Sequence, residues 1–223
     1  MSSPPSAGNY KDIVPALDAV PLFPLPQTAL FPGALLPLHI FEPRYRTMIR
    51  DVIDSHRTLS VVQITDASRR DEHDNPAIAR IAGVGVLVDY TELPSGRFNI
   101  LLRGRARVTL EELPFVAPYR RARANILQPV QESVPTSEIA ALIQTATSFA
   151  SVVRERDKKF ELKLPRDTDA GTLADLCAAQ LLIDGRDRQR ALEATSVIER
   201  VRLVTETIAL QRLAIAGEPG PPN

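Results

Sequence analysis

Short apolar stretches separated by turn residues dominate the first part of the chain. Apolar and β-branched residues concentrate in five segments, at 19–23, 59–65, 78–90, 97–110 and 117–127. Runs of this kind, bounded by Gly, Pro, Asn and Asp, are typical of β-strands. After Pro43, by contrast, apolar side chains recur at helical spacing, and proline suits the first turn of a helix. The pattern predicts an antiparallel, barrel-like β lobe interrupted by one helix.

The second part of the chain has helical periodicity instead. One apolar stripe is formed by Ile139, Leu142, Ile143, Ala146 and Phe149. Thr172 is predicted to cap a further helix at its N-terminus, and Gly185 to end it. A short helix is predicted over 187–194, and Ser196 with Glu199 has the spacing of a capping box that opens the last helix. These signals predict a helical bundle.

Together the two patterns predict an α+β fold with two lobes. The β-rich lobe is expected over 13–130 and the helical lobe over 131–216. Residues 1–12 and 217–223 are rich in Ser, Pro, Gly and polar side chains. Such segments bury too little apolar surface to order themselves, so both are predicted to be disordered tails.

Composition bears on the partners and the cellular location of the protein. Lys+Arg and Asp+Glu both total 27, so the formal net charge is zero. This balance gives no general attraction to nucleic acid or to an anionic membrane. The single cysteine, Cys177, lies in an apolar helical run and is expected to be a small core residue. The chain has no signal-like start and no apolar run of about 18 residues, so we expect a cytoplasmic protein with no membrane contact.

Several motifs in the β lobe resemble a known family. They are the apolar and proline-rich segment 20–26, the block 30–46 containing Phe31-Pro32-Gly33, the Gly-Val-Gly at 83–85, and the strand 102–108. In this order they are similar to the N-terminal, substrate-binding domain of Lon proteases, over roughly residues 18–214. The chain therefore resembles a free-standing copy of that domain. The resemblance implies its two-part fold and a role in recognising substrate polypeptides.

The motifs of enzymatic chemistry are missing from this sequence. No Gly is followed by Lys, so there is no phosphate-binding Walker loop. Ser6 lies in a Pro-Ser-Ala-Gly fragment that resembles the surroundings of the Lon nucleophile, but a nucleophile needs a positioned base and Ser6 falls in the predicted tail. His39, His56 and His73 fit no zinc motif, and the acidic run 71–74 is predicted to be a solvated loop. We expect no catalytic residue, no metal and no cofactor.

Three arginines form the second candidate site. Arg103, Arg105 and Arg107 alternate along one predicted strand and should share a face. Such a face could be solvated and paired with acids, could bind acidic or carboxyl-bearing peptide segments, or could bind nucleic acid. Zero net charge and 5% aromatic residues weigh against nucleic acid.

The sequence therefore predicts a non-enzymatic module that binds a partner protein or an unfolded or extended polypeptide. The predicted contact residues are apolar side chains near the Pro32-Gly33 turn and the lobe boundary: Phe31, Leu35, Phe115 and Tyr119. Two alternatives stay open. One is a small-molecule-binding or hydrolytic enzyme that uses a pocket between the lobes, and the other is a nucleic-acid binder that uses the arginine face.

Overall fold

A computed structural model describes residues 10–130, 132–165 and 167–217 of the chain. The chain divides into two compact units, which meet in sequence at Gln128 and Pro129. Among the described residues, the named strands all lie in the first unit, and the named elements of the second unit are helices. The mixed fold, with a partly ring-like sheet followed by a helical part, confirms the predicted α+β class.

The first unit is built around one seven-stranded sheet. A 3₁₀ helix, Val14–Ala19, precedes the strands, and the α-helix α1 spans Pro43–Ile53. The strands are β1 Val20–Leu25, β2 Leu35–Ile40, β3 Thr58–Arg70, β4 Pro76–Ile78, β5 Ile81–Glu92, β6 Phe98–Glu112 and β7 Arg121–Leu127. The segment 78–90, predicted as one strand, is thus divided between β4 and β5.

The sheet closes on itself. Its strands follow the order β1-β7-β6-β5-β3-β4, and β1 also pairs with β3, so five strands form a ring. All pairings in the ring are antiparallel except β1 with β3, which is parallel. Strand β2 lies off the ring and pairs with the first half of β6, from Leu35 opposite Arg103 to Ile40 opposite Phe98.

Glycines allow one segment of chain to cross the sheet at close range. Leu30 and Phe31 are buried, and a Cβ atom on Gly83 would lie 1.9 Å from the carbonyl oxygen of Leu30. A Cβ atom on Gly104 would lie 2.0 Å from the carbonyl oxygen of Phe31. Only residues without a side chain leave room for such contacts. The pairing of β5 with β6 shifts register between Val84 and Gly85, which marks a β-bulge.

The Pro32-Gly33 turn reverses the chain before β2. The N–H of Ala34 donates to the carbonyl oxygen of Phe31 across the turn, at 3.1 Å. Gly33 has a φ of 80°, in the left-handed region that favours glycine. The predicted turn is therefore present, and it directs the chain from the buried crossing segment to the edge of the sheet.

The start of the described chain belongs to the first unit. Tyr10 packs against the core, and the carboxylate of Asp12 lies 2.7 Å from the guanidinium of Arg105. The predicted disordered tail over 1–12 differs from the structure at these residues, because a buried contact and an ion pair hold them. The rest of that tail, 1–9, and the segment 218–223 lie outside the described residues.

The second unit contains α2 Thr136–Arg156, α3 Ala170–Leu181, α4 Gly185–Glu193 and α5 Val197–Gly217. Arg202 bonds to Glu138 and Arg212 to Ser148, so α2 and α5 run side by side in the same direction. A buried ion pair, with Arg200 Nε 3.0 Å from Asp175 Oδ1, joins α5 to α3.

Two predicted helix ends differ from the structure. Asp169, not Thr172, caps α3: its side chain accepts a hydrogen bond from the N–H of Thr172, whose hydroxyl also donates to it. Gly185 begins α4 after the cap Asp184 and does not end α3. A carboxylate placed before the first turn is the stronger acceptor, which explains both differences. At α5, Ser196 Oγ accepts from the N–H of Glu199 as predicted, at 3.2 Å.

Candidate functional site

The structure places the four predicted contact residues in different surroundings. Leu35 is exposed over 53% of its surface, and Phe115 is partly buried against the ring of His73. Phe31 is fully buried, because its segment crosses the interior beside Gly104, so it cannot contact a client. Tyr119 is also buried, and its hydroxyl donates to Asp51 Oδ2 at 2.5 Å. The predictions for Phe31 and Tyr119 are therefore wrong.

The three arginines do not form one exposed face. Arg107 is buried, with its guanidinium 6.0 Å from the ring centre of Phe31, and Arg105 is paired with Asp12. The β-bulge between β5 and β6 explains this difference. Val84 pairs with Ala106 and Gly85 with Gly104, so Arg105 is an extra residue in β6 and the side chains on its two sides no longer alternate between the faces of the sheet. Arg103 alone of the three is exposed, which removes the continuous cationic stripe that a nucleic-acid binder would need.

Strand β2 presents a different surface, which sequence reasoning identified only at Leu35. Its odd-numbered residues Leu35, Pro37 and His39 are exposed, and Phe41, just after the strand, is exposed over 58% of its surface. The His39 and Phe41 rings stack with centres 6.4 Å apart. We call Leu35, Pro37, His39 and Phe41 the β2 face. It is apolar along most of its length, which is unusual for an exposed strand.

The same strand has an open hydrogen-bonding edge. Gly104 donates its N–H to the carbonyl oxygen of Ala34, so the even-numbered residues of β2 bond to β6. A bond on the other side of β6 is consistent with this alternation. Leu93 donates its N–H to the carbonyl oxygen of Arg97, so the odd-numbered residues of β6 direct their backbone groups to β5 and the even-numbered ones to β2. The backbone groups of Leu35, Pro37 and His39 therefore point away from β6. Among residues 10–130 no other strand pairs with β2.

Strand β6 extends the β2 face inward from the edge. Leu101, opposite Pro37, is partly buried, and Arg103, opposite Leu35, is exposed. His39 donates an imidazole N–H to the side-chain oxygen of Asn99 at 2.7 Å. The β2 face is thus bordered by one arginine at its Leu35 end and by aromatic rings at its Phe41 end.

A cleft of about 310 Å³, lined by both apolar and polar residues, is the second feature of the first unit. Asp51, His56, Tyr119 and Arg121 line it, and Arg121 donates to the Tyr119 hydroxyl at 2.8 Å. Burial, together with the hydrogen bond to Asp51, raises the pKa of Tyr119, so the phenol stays protonated at neutral pH. Ser55, also in the cleft, donates its hydroxyl to the carbonyl oxygen of Asp51 and not to His56. These bonds hold the walls of the cleft together.

Asp71, in the acidic run 71–74, and the single cysteine, Cys177, both have structural roles. Asp71 accepts hydrogen bonds from the N–H groups of Asn75 and His73, which lower the pKa of its carboxyl and close the loop between β3 and β4. Cys177 is buried in α3, and burial raises the pKa of its thiol to about 12. The thiol is therefore protonated and unreactive at neutral pH, as expected of a core cysteine.

The described helices include none whose length and hydropathy would allow it to span a lipid bilayer.

Solved structures share this architecture. The N-terminal domain of a Mycobacterium avium complex Lon protease superposes with a TM-score of 0.63 at 15% identity, covering 86% of this chain and 98% of that one. A Lon N-terminal domain protein from Xanthomonas campestris superposes with a TM-score of 0.58 at 21% identity, covering 90% and 99%. At these identities the likeness establishes the fold.

Sequence comparison establishes the family. The family model of the ATP-dependent protease La (LON) substrate-binding domain matches residues 19–209. Lon protease of Roseiflexus castenholzii is 28% identical over 216 residues, and Lon protease 2 of Myxococcus xanthus is 27% identical over 217. These alignments cover 95% and 94% of this chain but 26% and 25% of the relatives, so the chain spans about a quarter of their length.

The chain belongs to the LON substrate-binding domain family, as its motifs indicated. The match lies within the substrate-binding domain and includes neither the ATPase nor the protease domain.

Proposed function

We propose that this protein binds extended polypeptides by adding them as a strand to the open edge of β2, without chemistry of its own. One observation carries the proposal: the exposed apolar side chains of the β2 face and the outward-pointing backbone groups belong to the same residues, Leu35, Pro37 and His39. An extended chain laid along β2 would meet both at once.

The chemistry of such a contact suits clients of varied sequence. Backbone hydrogen bonds are independent of the client's side chains, and the apolar face favours any segment with apolar residues at alternate positions. Pro37 has no N–H, so the edge offers the donors of Leu35 and His39 and the carbonyls of all three residues. An ordered edge that lacks one donor should bind weakly, with dissociation constants in the micromolar range or above once the client's ordering entropy is included.

Family membership supports a polypeptide as the partner. The matching family is a substrate-binding domain of an ATP-dependent protease, and its relatives here are named Lon proteases. We carry over only the recognition of polypeptide substrates. The sequence contains no Gly-Lys pair for a Walker loop, so we infer no nucleotide-driven step for this chain.

The proposal is tested by titrating the protein with a labelled, permanently unfolded polypeptide. We compare the wild type with Leu35→Asp and Phe41→Asp, which place charge on the β2 face. The matched control is Val116→Asp, because Val116 is also an exposed apolar residue, at 67% against 53% for Leu35 and 58% for Phe41, and lies in the loop before β7. We expect the two face variants to weaken binding about tenfold or more and the control to leave it unchanged, since the lost apolar contacts amount to about 1.5–3 kcal/mol each.

Salt separates this mode from nucleic-acid binding. Raising salt from about 0.05 to 0.5 M should change polypeptide affinity little, because the contacts are mainly apolar and backbone bonds. An arginine-based nucleic-acid site would lose orders of magnitude over the same range. Salt-sensitive oligonucleotide binding, with no polypeptide binding at high protein concentration, would refute the proposal.

A further inference from the structure

Arg103 stands at one end of the β2 face as an exposed cation. It lies directly opposite Leu35 on β6 and is exposed to solvent. Among residues 10–130 the structure gives its guanidinium no hydrogen bond and no ion pair. Its neighbours in the odd-numbered row of β6, Leu101 and Asn99, carry no charge. An unpaired cation beside an apolar row leaves its charge available to a ligand.

The opposite end of the same face has a different character. His39 and Phe41 stack there, and the imidazole N–H of His39 is already bonded to Asn99. The β2 face thus runs from a cation beside Leu35 to two stacked rings at Phe41. A strand lying along it would meet a polar, positive end and an apolar, aromatic end.

We infer that the preferred client segment carries an acidic residue beside Leu35 and apolar residues at the alternate positions toward Phe41, so that Arg103 pairs with the client's carboxylate. This inference rests on the proposed binding mode at β2. It assigns a specificity role to Arg103 that the family's general recognition of polypeptides does not include.

The reach of the side chains favours glutamate over aspartate. Arg103 is one strand in from the edge, so a strand added to β2 would run two strand spacings, about 10 Å, from the backbone of Arg103. The guanidinium can extend over Leu35, because long arginine side chains commonly lie along apolar surface while the charged end stays in water. A glutamate side chain then completes the gap, and the shorter aspartate side chain falls short by about one methylene group.

One exposed carboxylate, Asp89, lies near Arg103 on the neighbouring strand. It is on β5, opposite Leu101 of β6, and Leu101 is two residues before Arg103. It faces β6 from the side away from β2, so an incoming strand and Asp89 approach Arg103 from opposite sides. The client's carboxylate therefore competes only with water for the β2 side of the guanidinium. The expected gain is that of a solvent-exposed ion pair, about two- to fivefold in affinity.

Four peptides of one length test the inference. Each peptide has valine at alternate positions, and the position at one end of the valine row is Glu, Asp, Gln or Lys. Every peptide is made with this variable position at the N-terminal end and again at the C-terminal end, because the added strand can run in either direction along β2. The wild type is compared with Arg103→Glu and with Arg80→Glu. Arg80 is exposed in the link between β4 and β5, so its variant makes the same change in net charge away from the β2 face.

We expect the wild type and Arg80→Glu to prefer Glu over Gln by about two- to fivefold, with Asp between them and Lys weakest. Arg103→Glu should prefer Lys, and about 0.5 M salt should remove every preference because the pair is screened. Equal binding of all peptides, or the same preference in Arg80→Glu and Arg103→Glu as in the wild type, overturns the role of Arg103 while the binding mode at β2 stands. If no peptide binds and the unfolded polypeptide also fails, the proposed function itself is overturned.

Discussion

At the scale of single residues, close backbone contact governs the first unit. Gly83 and Gly104 lie where the segment containing Leu30 and Phe31 crosses the sheet, and neither position has room for a methyl group. The contact partners are carbonyl oxygens, which cannot move aside as the end of a flexible side chain can. The crossing segment in turn sets where the Pro32-Gly33 turn and β2 begin.

Gly83→Ala should therefore destabilise the protein strongly. Its Cβ would lie 1.9 Å from the carbonyl oxygen of Leu30, so the crossing segment must shift. We expect the free energy of unfolding to fall by about 1–3 kcal/mol or more, as for other overpacked cores, measured by urea denaturation. Ser95→Ala, in the exposed turn between β5 and β6, is the control and should change it by less than about 0.5 kcal/mol. Equal stability of the two variants would show that the crossing is loose.

Sequence reasoning recognised the Phe31-Pro32-Gly33 block but misjudged the direction of one side chain. The Pro32-Gly33 turn was predicted, and the positive φ of Gly33 follows from the same local chemistry. Phe31 was predicted to contact clients, yet it is buried, because an apolar residue beside a turn can point inward or outward with the same sequence. The deciding fact is the proximity of Gly104, a residue distant in sequence, which no local pattern contains.

At the scale of elements, helix α3 depends on a carboxylate at its start. Burial of Asp169 raises the pKa of its carboxyl, but hydrogen bonds from the hydroxyl and the N–H of Thr172 outweigh that effect, so the net pKa lies below the ordinary 3.8. A lowered pKa in the folded state means that the ionised cap stabilises the protein. This contribution is complete above the unfolded pKa and is lost as the pH falls through the folded value.

Asp169→Ala is expected to lower the free energy of unfolding at pH 7 by about 0.5–2 kcal/mol, the usual cost of losing an N-terminal cap. The difference from the wild type should begin to shrink below about pH 4, where the carboxyl of the unfolded chain takes up a proton, and should be lost as the pH falls through the lower pKa of the folded state. Asp169→Asn keeps a capping oxygen and should lose less stability than Asp169→Ala at pH 7. Because residue 169 titrates in neither variant, both differences from the wild type should follow the titration of the wild-type carboxyl. Urea denaturation between pH 2.5 and 7 measures both. A difference that is constant over this range would exclude the ionised cap.

The elements themselves were more predictable than their pairing. Alternating and helical periodicities predicted most strands and the five α-helices of the described residues, because those signals come from neighbouring residues. They did not predict the 3₁₀ helix Val14–Ala19. The parallel pairing of β1 with β3 and the placement of β2 beside β6 were not predicted. Both join segments about 40 or more residues apart, and the chain between them gives no local sign of which strands will meet.

At the scale of the whole molecule, sequence motifs were sufficient for the family and the α+β fold but not for the site. The family is marked by a long ordered set of turns and strands, and comparison confirms it. The candidate site depends on which strand keeps an open edge, and only the full sheet reveals that β2 does. Of the residues predicted from sequence, Leu35 and Arg103 belong to it, while Pro37, His39 and Phe41 were not among the predicted contacts.

Hydrogen exchange measured residue by residue on β2, with and without an unfolded polypeptide, tests the central claim most directly. The N–H groups of Leu35 and His39 point to the open edge, whereas those of Leu36 and Leu38 bond to β6. Strand addition should therefore slow exchange at Leu35 and His39 on saturation with polypeptide and change Leu36 and Leu38 much less. Binding that leaves Leu35 and His39 unprotected, while slowing exchange elsewhere in the protein, would contradict the account.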